Sequence, residues 1–124
     1  MTGPVVIAAG GTGGHMFPAL ALAAELARRD QRVIVACDRR GSRYLPAGMS
    51  ARMIRAASPS GSLPSRLRGL SELAVGFAQS LAFLRRRRPA AVAAFGGYAA
   101  VPIGLAAQAL RIPTLIHEQN AVLG

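Results

Sequence analysis

The sequence has no lysine and no tryptophan, a single cysteine and only five acidic residues. Each scarcity removes a class of function. With Cys37 alone, neither a disulfide framework nor a cysteine-rich zinc site can be assembled, and a reducing compartment fits. Two tyrosines and four phenylalanines, without basic residues interleaved among them, make no stacking platform and argue against nucleic acid as a partner. Two histidines lacking a neighbouring pair of acids supply too few ligands for a metal at recognised spacings. The amino terminus lacks the basic stretch of a secretory signal, and its apolar run breaks at Gly10-Gly11. A chain of 124 residues has room for one domain, so an activity that needs a cleft between two full domains is excluded for this chain alone.

What is present begins with charge. All 15 basic residues are arginine, opposed by Glu25, Asp30, Asp38, Glu72 and Glu118, for a net charge of +10. That sign favours acidic partners such as phosphate or anionic lipid. Apolar residues make up 52% and charged residues 16%, the balance of a packed globular domain. Residues 89 to 110 carry no charge and are numerous enough to cross a bilayer. Pro89, Gly96, Gly97, Pro102 and Gly104 interrupt them, however, which predicts a strand, a glycine turn and a helix instead.

The apolar periodicity alternates along the chain. Val5 to Ala9 reads as a strand buried on both faces, Pro18 as the opening of a helix over Ala19 to Arg29, and Gln31 to Cys37 as a second strand. Asp38 to Met49 reads as loop with one helical turn, and Ala51 to Ala56 as a third strand. Ser58 to Ser65, rich in Ser, Pro and Gly, reads as a mobile surface loop. Leu67, Leu70, Ala74, Phe77, Leu81 and Leu84 form one apolar stripe on a helix that ends in Arg85 to Arg88 and is stopped by Pro89. Ala91 to Phe95, Val101 to Leu110 and Pro113 to His117 complete the series as strand, helix and strand. This order predicts an α/β fold: a Rossmann-like parallel sheet with helices on both faces.

Ligands of such sheets bind where the carboxyl ends of strands lead into helices. Three marked segments fall there: Gly10-Gly11-Thr12-Gly13-Gly14-His15, Gly96-Gly97-Tyr98 and His117-Glu118-Gln119-Asn120. The first offers unpaired backbone N–H groups at a helix start, suited to a pyrophosphate or its sugar neighbour. The strict dinucleotide spacing fails, since Met16 stands where its third glycine would be. Asp38 nevertheless follows the second strand where a ribose-binding carboxylate would sit, which leaves a nicotinamide or flavin reading open beside that of a plain loop acid. His15 suits a general base near neutral pH or a hydrogen-bonding support of the glycine loop. Arg85 to Arg88 suit a solvated helix end or an anionic membrane surface.

Gly10 to Ala21, Phe95-Gly96-Gly97-Tyr98 and Ile112 to Asn120 together resemble, in order and separation, the N-terminal part of the MurG family. The resemblance implies the N-terminal domain of a GT-B glycosyltransferase of peptidoglycan synthesis, peripheral on the cytoplasmic face of the bacterial plasma membrane. Its expected reaction moves N-acetylglucosamine from UDP-N-acetylglucosamine to an undecaprenyl-pyrophosphoryl-muramyl-pentapeptide, forming a β-1,4 bond with inversion and using no metal or other cofactor. By the same resemblance, Thr12, Gly13, Gly14 and Asn120 contact the donor, and Gly96, Gly97, Tyr98 and His117 line the acceptor side. His15 is the candidate base, with Glu118 as its support or alternative. The Leu67 to Arg88 helix and the loop before it match the family's membrane-associating surface, although Ser58 to Ser65 carry no charge and Ala99-Ala100-Val101 replace a more polar stretch. Residues 1–124 are then expected to be a single, incomplete acceptor-binding domain. It lacks a C-terminal donor domain, exposes apolar surface at its last strands and is inactive unless a partner subunit or donor domain is supplied. The alternatives are a stand-alone nucleotide or phospholipid binding module and a subunit of a split glycosyltransferase.

Overall fold

A computed structural model describes residues 3–11, 13–57 and 59–117. Five strands form one parallel sheet: β1 (Val5–Ala8), β2 (Val33–Cys37), β3 (Ala51–Met53), β4 (Ala91–Ala94) and β5 (Thr114–Ile116), in spatial order β3-β2-β1-β4-β5. The helices are α1 (Gly13–Arg28), α2 (Arg39–Ser42), α3 (Leu63–Arg87) and α4 (Ala100–Ala109). The expected doubly covered sheet is what forms. Alternate residues of the central strands separate into two cores. Val6, Ala8, Ile34, Val92 and Ala94 meet Phe83 and Leu84 of α3 and Ile103 and Ala106 of α4. Val5, Ile7, Val35, Cys37 and Ala93 meet Met16, Ala19 and Ala23 of α1. Residues 89 to 110 form a strand, a turn and a helix, and among the described residues no helix is long and apolar enough to cross a membrane.

Three boundaries and one buried face differ from expectation. Helix α1 starts at Gly13, directly after the glycine turn, so Pro18 lies inside it and deprives the Gly14 carbonyl of its i+4 partner. Strand β3 ends at Met53. Beyond it the Arg55 N–H donates to Gln79 Oε1 of α3, and Gly76 lets α3 lie against the Arg55 carbonyl, so the chain leaves the ladder to pass beneath the helix. Helix α3 starts at Leu63 because Ser62 caps it, its Oγ accepting from the Ser65 N–H, and Pro64 occupies the first turn, where a missing N–H costs nothing. The Ser/Pro cluster read as loop is thus in part a helix start.

The fourth difference concerns the stripe on α3. Leu84 is buried and Phe77 and Leu81 pack on the core, but Leu67 and Leu70 remain 58% and 55% exposed and Ala74 is also exposed. Length explains it. Twenty-five helical residues span about 38 Å whereas a four-residue strand spans about 13 Å, so the amino half of α3 overhangs the sheet. As a crossover between parallel strands, α3 runs antiparallel to them. The overhanging leucines therefore lie toward the carboxyl ends of the strands, and Arg85 to Arg87 lie at the amino ends. At the sheet edge, Leu115 and Ile116 of β5 are 64% and 65% exposed, the apolar surface expected at the last strand.

Candidate functional site

The strand order reverses between β1 and β4, and two glycine turns face each other across that switch point. β1 feeds Gly10-Gly11 and then the start of α1; β4 feeds Phe95-Gly96-Gly97 and then α4. The Phe95 N–H donates to the Ala8 carbonyl at 2.7 Å and extends the β1–β4 pairing by one step. Gly96 and Gly97 then adopt φ of +95° and +83°, a region that disfavours any side chain. Space forbids one as well. A Cβ on Gly97 would lie 2.5 Å from the Gly10 carbonyl oxygen, and one on Gly96 would lie 2.8 Å from Cδ2 and 3.0 Å from Nε2 of His15. The fold thus brings His15, from the first turn of α1, onto the bare backbone of the second glycine turn, 81 positions later in the sequence.

Asp38 has a different role from either one the sequence suggested. Its Oδ1 accepts from the Gly11 N–H at 3.0 Å and from the Gly41 N–H at 2.8 Å. One carboxylate oxygen thus caps α2 and braces the first glycine turn. The carboxylate after β2, which could have met a ribose, is committed to the backbone of the loop. Gly10 is tightly enclosed too, since a Cβ there would stand 2.7 Å from the Ala99 Cβ and 3.1 Å from the Asp38 carboxyl carbon. Beside Asp38, the buried Cys37 thiol is pushed up to about 11, first by burial and then by the Asp38 charge, so at neutral pH it stays protonated and packs as a core residue.

On the β5 side, the His117 N–H donates to the Ala94 carbonyl at 2.8 Å, and its ring lies 5.1 Å from that of Phe95. A cavity of about 260 Å³ opens there, lined by Gly96, Gly97, Val101, Leu105, Ile116 and His117 among others. It is predominantly apolar. His15, Gly13, Gly14, Gly96, Gly97 and His117 are therefore assembled at one end of the sheet, and Tyr98, 49% exposed, stands on the turn beside them. Thr12, Glu118 and Asn120 lie outside the described residues. Phe95, read in sequence only as part of the family motif, and Ala99, read only as a departure from it, also contribute: the Phe95 ring lies near that of His117 and the Ala99 Cβ encloses Gly10.

The arrangement has glycine backbone and a helix start for phosphate oxygens, an imidazole for a proton and an apolar trough beside them. Residues 5–124 match the glycosyltransferase family 28 N-terminal domain. The chain is 52% identical over 124 residues to a UDP-N-acetylglucosamine--N-acetylmuramyl-(pentapeptide) pyrophosphoryl-undecaprenol N-acetylglucosamine transferase of Methylobacterium nodulans, covering 97% of this chain and 33% of that protein. A protein of the same description from Rhodospirillum rubrum is 48% identical over 123 residues, covering 97% and 32%. The crystal structure of Acinetobacter baumannii MurG superposes with a TM-score of 0.81 at 34% identity, covering 98% of this chain and 37% of that one. A kitacinnamycin glycosyltransferase shares the fold, with a TM-score of 0.76 at 23% identity over 98% of this chain and 31% of its own. The chain spans about a third of the length of the curated relatives it matches. With the family match running from β1 to the end of the chain and the two glycine turns meeting at the switch point, the chain belongs to the glycosyltransferase family 28 N-terminal domain family.

Proposed function

We propose that this chain is the acceptor-binding part of an inverting glycosyltransferase that transfers N-acetylglucosamine from UDP-N-acetylglucosamine to an undecaprenyl-pyrophosphoryl-muramyl-pentapeptide. The observation that carries the reading is the approach of His15 to the Gly96 backbone, which sets an imidazole beside the two glycine turns. The 16-residue α1 helix directs its amino-terminal N–H groups at that place, where an acceptor pyrophosphate is stabilised. In the transfer, the muramyl 4-hydroxyl oxygen attacks the anomeric carbon of N-acetylglucosamine, the bond from that carbon to the UDP oxygen breaks, and the hydroxyl proton passes to His15. Gly96, Gly97, Tyr98 and His117 line the acceptor side, Glu118 supports or replaces the base, and Thr12, Gly13, Gly14 and Asn120 meet the donor. UDP-sugar binding for the most part belongs to a donor domain or partner subunit, without which the chain does not turn over.

The overhanging face of α3 fits a lipid-linked acceptor. Leu63, Leu67 and Leu70 are more than half exposed, and Arg66 and Arg68 stand among them on the same overhanging turns. Apolar residues that enter an interface beside arginines that meet anionic headgroups would hold the protein peripherally on the cytoplasmic face of the plasma membrane.

The test joins residues 1–124 to the remaining two thirds of the Rhodospirillum rubrum relative and measures transfer from radiolabelled UDP-N-acetylglucosamine to a short-chain lipid acceptor. Transfer is expected from the chimaera and not from the 124-residue chain. His15→Ala should lower kcat by a factor on the order of 10² to 10⁴. A folded chimaera that binds UDP-N-acetylglucosamine and saturates with acceptor yet transfers nothing would leave a binding module in place of an enzyme.

A further inference from the structure

The opposite end of the sheet has a different character. Where the strands begin, two adjoining cavities of about 620 and 240 Å³ share Ile34, Ser50, Arg86 and Arg87 as walls. Arg32 lines the larger and Arg52 the smaller. Apolar side chains also line them, Ala23, Val33 and Met49 in one and Ala82 and Phe83 in the other. The larger volume is that of a small-molecule site.

Four arginines from three separate parts of the chain therefore line one concave region, and among the described residues Asp30 is the only acidic residue that lines it. The helix dipole accounts for cations in the last turn of α3. It does not account for Arg32, which precedes β2, or for Arg52 on β3. Among the described residues the ion pairs involve Arg28, Arg29 and Arg55, and none of these four. Arg52 is also held in place, its Cζ lying 6.0 Å from the centroid of the Phe83 ring. These four arginines are exposed, and a concavity lined by several of them attracts an anion, whose phosphate oxygens guanidinium forks match in pairs.

We propose that Arg32, Arg52, Arg86 and Arg87 form a second phosphate-binding site, at the amino-terminal edge of the sheet and separate from the glycine turns. Its ligand carries a phosphate group on an apolar or flat body that rests on the apolar lining. The phosphate belongs either to a free phosphorylated small molecule or to an anionic phospholipid headgroup. Nothing in this site depends on the transferase reading.

Amide NMR on the full chain, titrated with inorganic pyrophosphate, locates binding residue by residue and separates this site from the glycine turns. Saturable shifts are expected at Ile34, Ser50 and Ala51, weakened at least tenfold by Arg86→Gln/Arg87→Gln while shifts at Gly13 and Gly14 persist. Arg52→Gln, which removes a cation from another element, should weaken the same shifts. Arg39→Gln/Arg40→Gln, an equal loss of charge beyond the carboxyl end of β2, should change them less than twofold. Flotation with phosphatidylglycerol and phosphatidylcholine vesicles supplies the second arm. Arginine-dependent binding to the former alone, without pyrophosphate shifts at these residues, identifies the headgroup as the source. The site is disproved if neither arm responds to Arg86→Gln/Arg87→Gln, or if the Arg39/Arg40 variant weakens binding as much.

Discussion

β1 and β5 are short strands of one parallel sheet, and they could hardly be more different. All four residues of β1 are buried, with Ile7 and Val6 fully so, while Leu115 and Ile116 of β5 stand about two-thirds exposed. Each is apolar and β-branched enough to enter a sheet. The difference is neighbours. β1 pairs with β2 and β4 and has a helix layer on either face. Among the described residues β5 pairs with β4 alone, and its exposed face toward the carboxyl end borders the cavity of Ile116 and His117. Stability accordingly concentrates at the centre of the sheet.

The comparison can be broken at the centre first. Cys37, fully buried on β2 and with its thiol pushed up to about 11, should react with iodoacetamide at pH 8 roughly 10³-fold more slowly in native protein than in denaturant, a suppression set by the free energy of opening. Comparable rates in the two states would show that the centre opens readily. Ile7→Ala should cost about 3 kcal/mol in urea denaturation, the range for a large-to-small change in a packed core. Gly97→Ala should cost about 2 kcal/mol through its positive φ and the clash with the Gly10 carbonyl; a neutral outcome would mean that the two turns do not approach so closely. Asp38→Ala, which leaves the Gly11 and Gly41 N–H groups without their shared acceptor, should cost about 1 to 2 kcal/mol. At the edge, Leu115→Ala should change stability by less than about 0.5 kcal/mol in the same denaturation. A loss as large as that of Ile7→Ala would place β5 in the core and cancel the contrast.

The legible parts were those whose signal is local. Glycine pairs after apolar β-branched runs marked both turns of the switch point, and Gln31 to Cys37 and Ala91 to Phe95 were placed within a residue or two of β2 and β4. Where a residue type carries two local meanings, the boundary went astray. Ser62 and Pro64 serve loops and helix starts alike, and Pro18 reads as a first-turn residue although the glycines ahead of it already begin the helix. Asp38 was noticed for its position after a strand, but position cannot tell a ribose acceptor from a carboxylate turned back onto Gly11 and Gly41. The stripe on α3 was correctly periodic, yet periodicity says which residues share a face and not how far the sheet beneath extends.

The sequence by itself determined the alternation of strands and helices, the two glycine turns, the family motifs and the excess of arginine, because each is a pattern within a few neighbouring residues. Tertiary structure decided the rest. It brought His15 against Gly96, turned Asp38 into a brace, left the amino half of α3 beyond the sheet and gathered arginines from positions 32, 52, 86 and 87 around one pair of cavities. The reason is that a parallel sheet pairs strands only through long crossovers. Groups that meet at either end of it are therefore tens of residues apart in sequence, and their meeting is a property of the register and not of any segment.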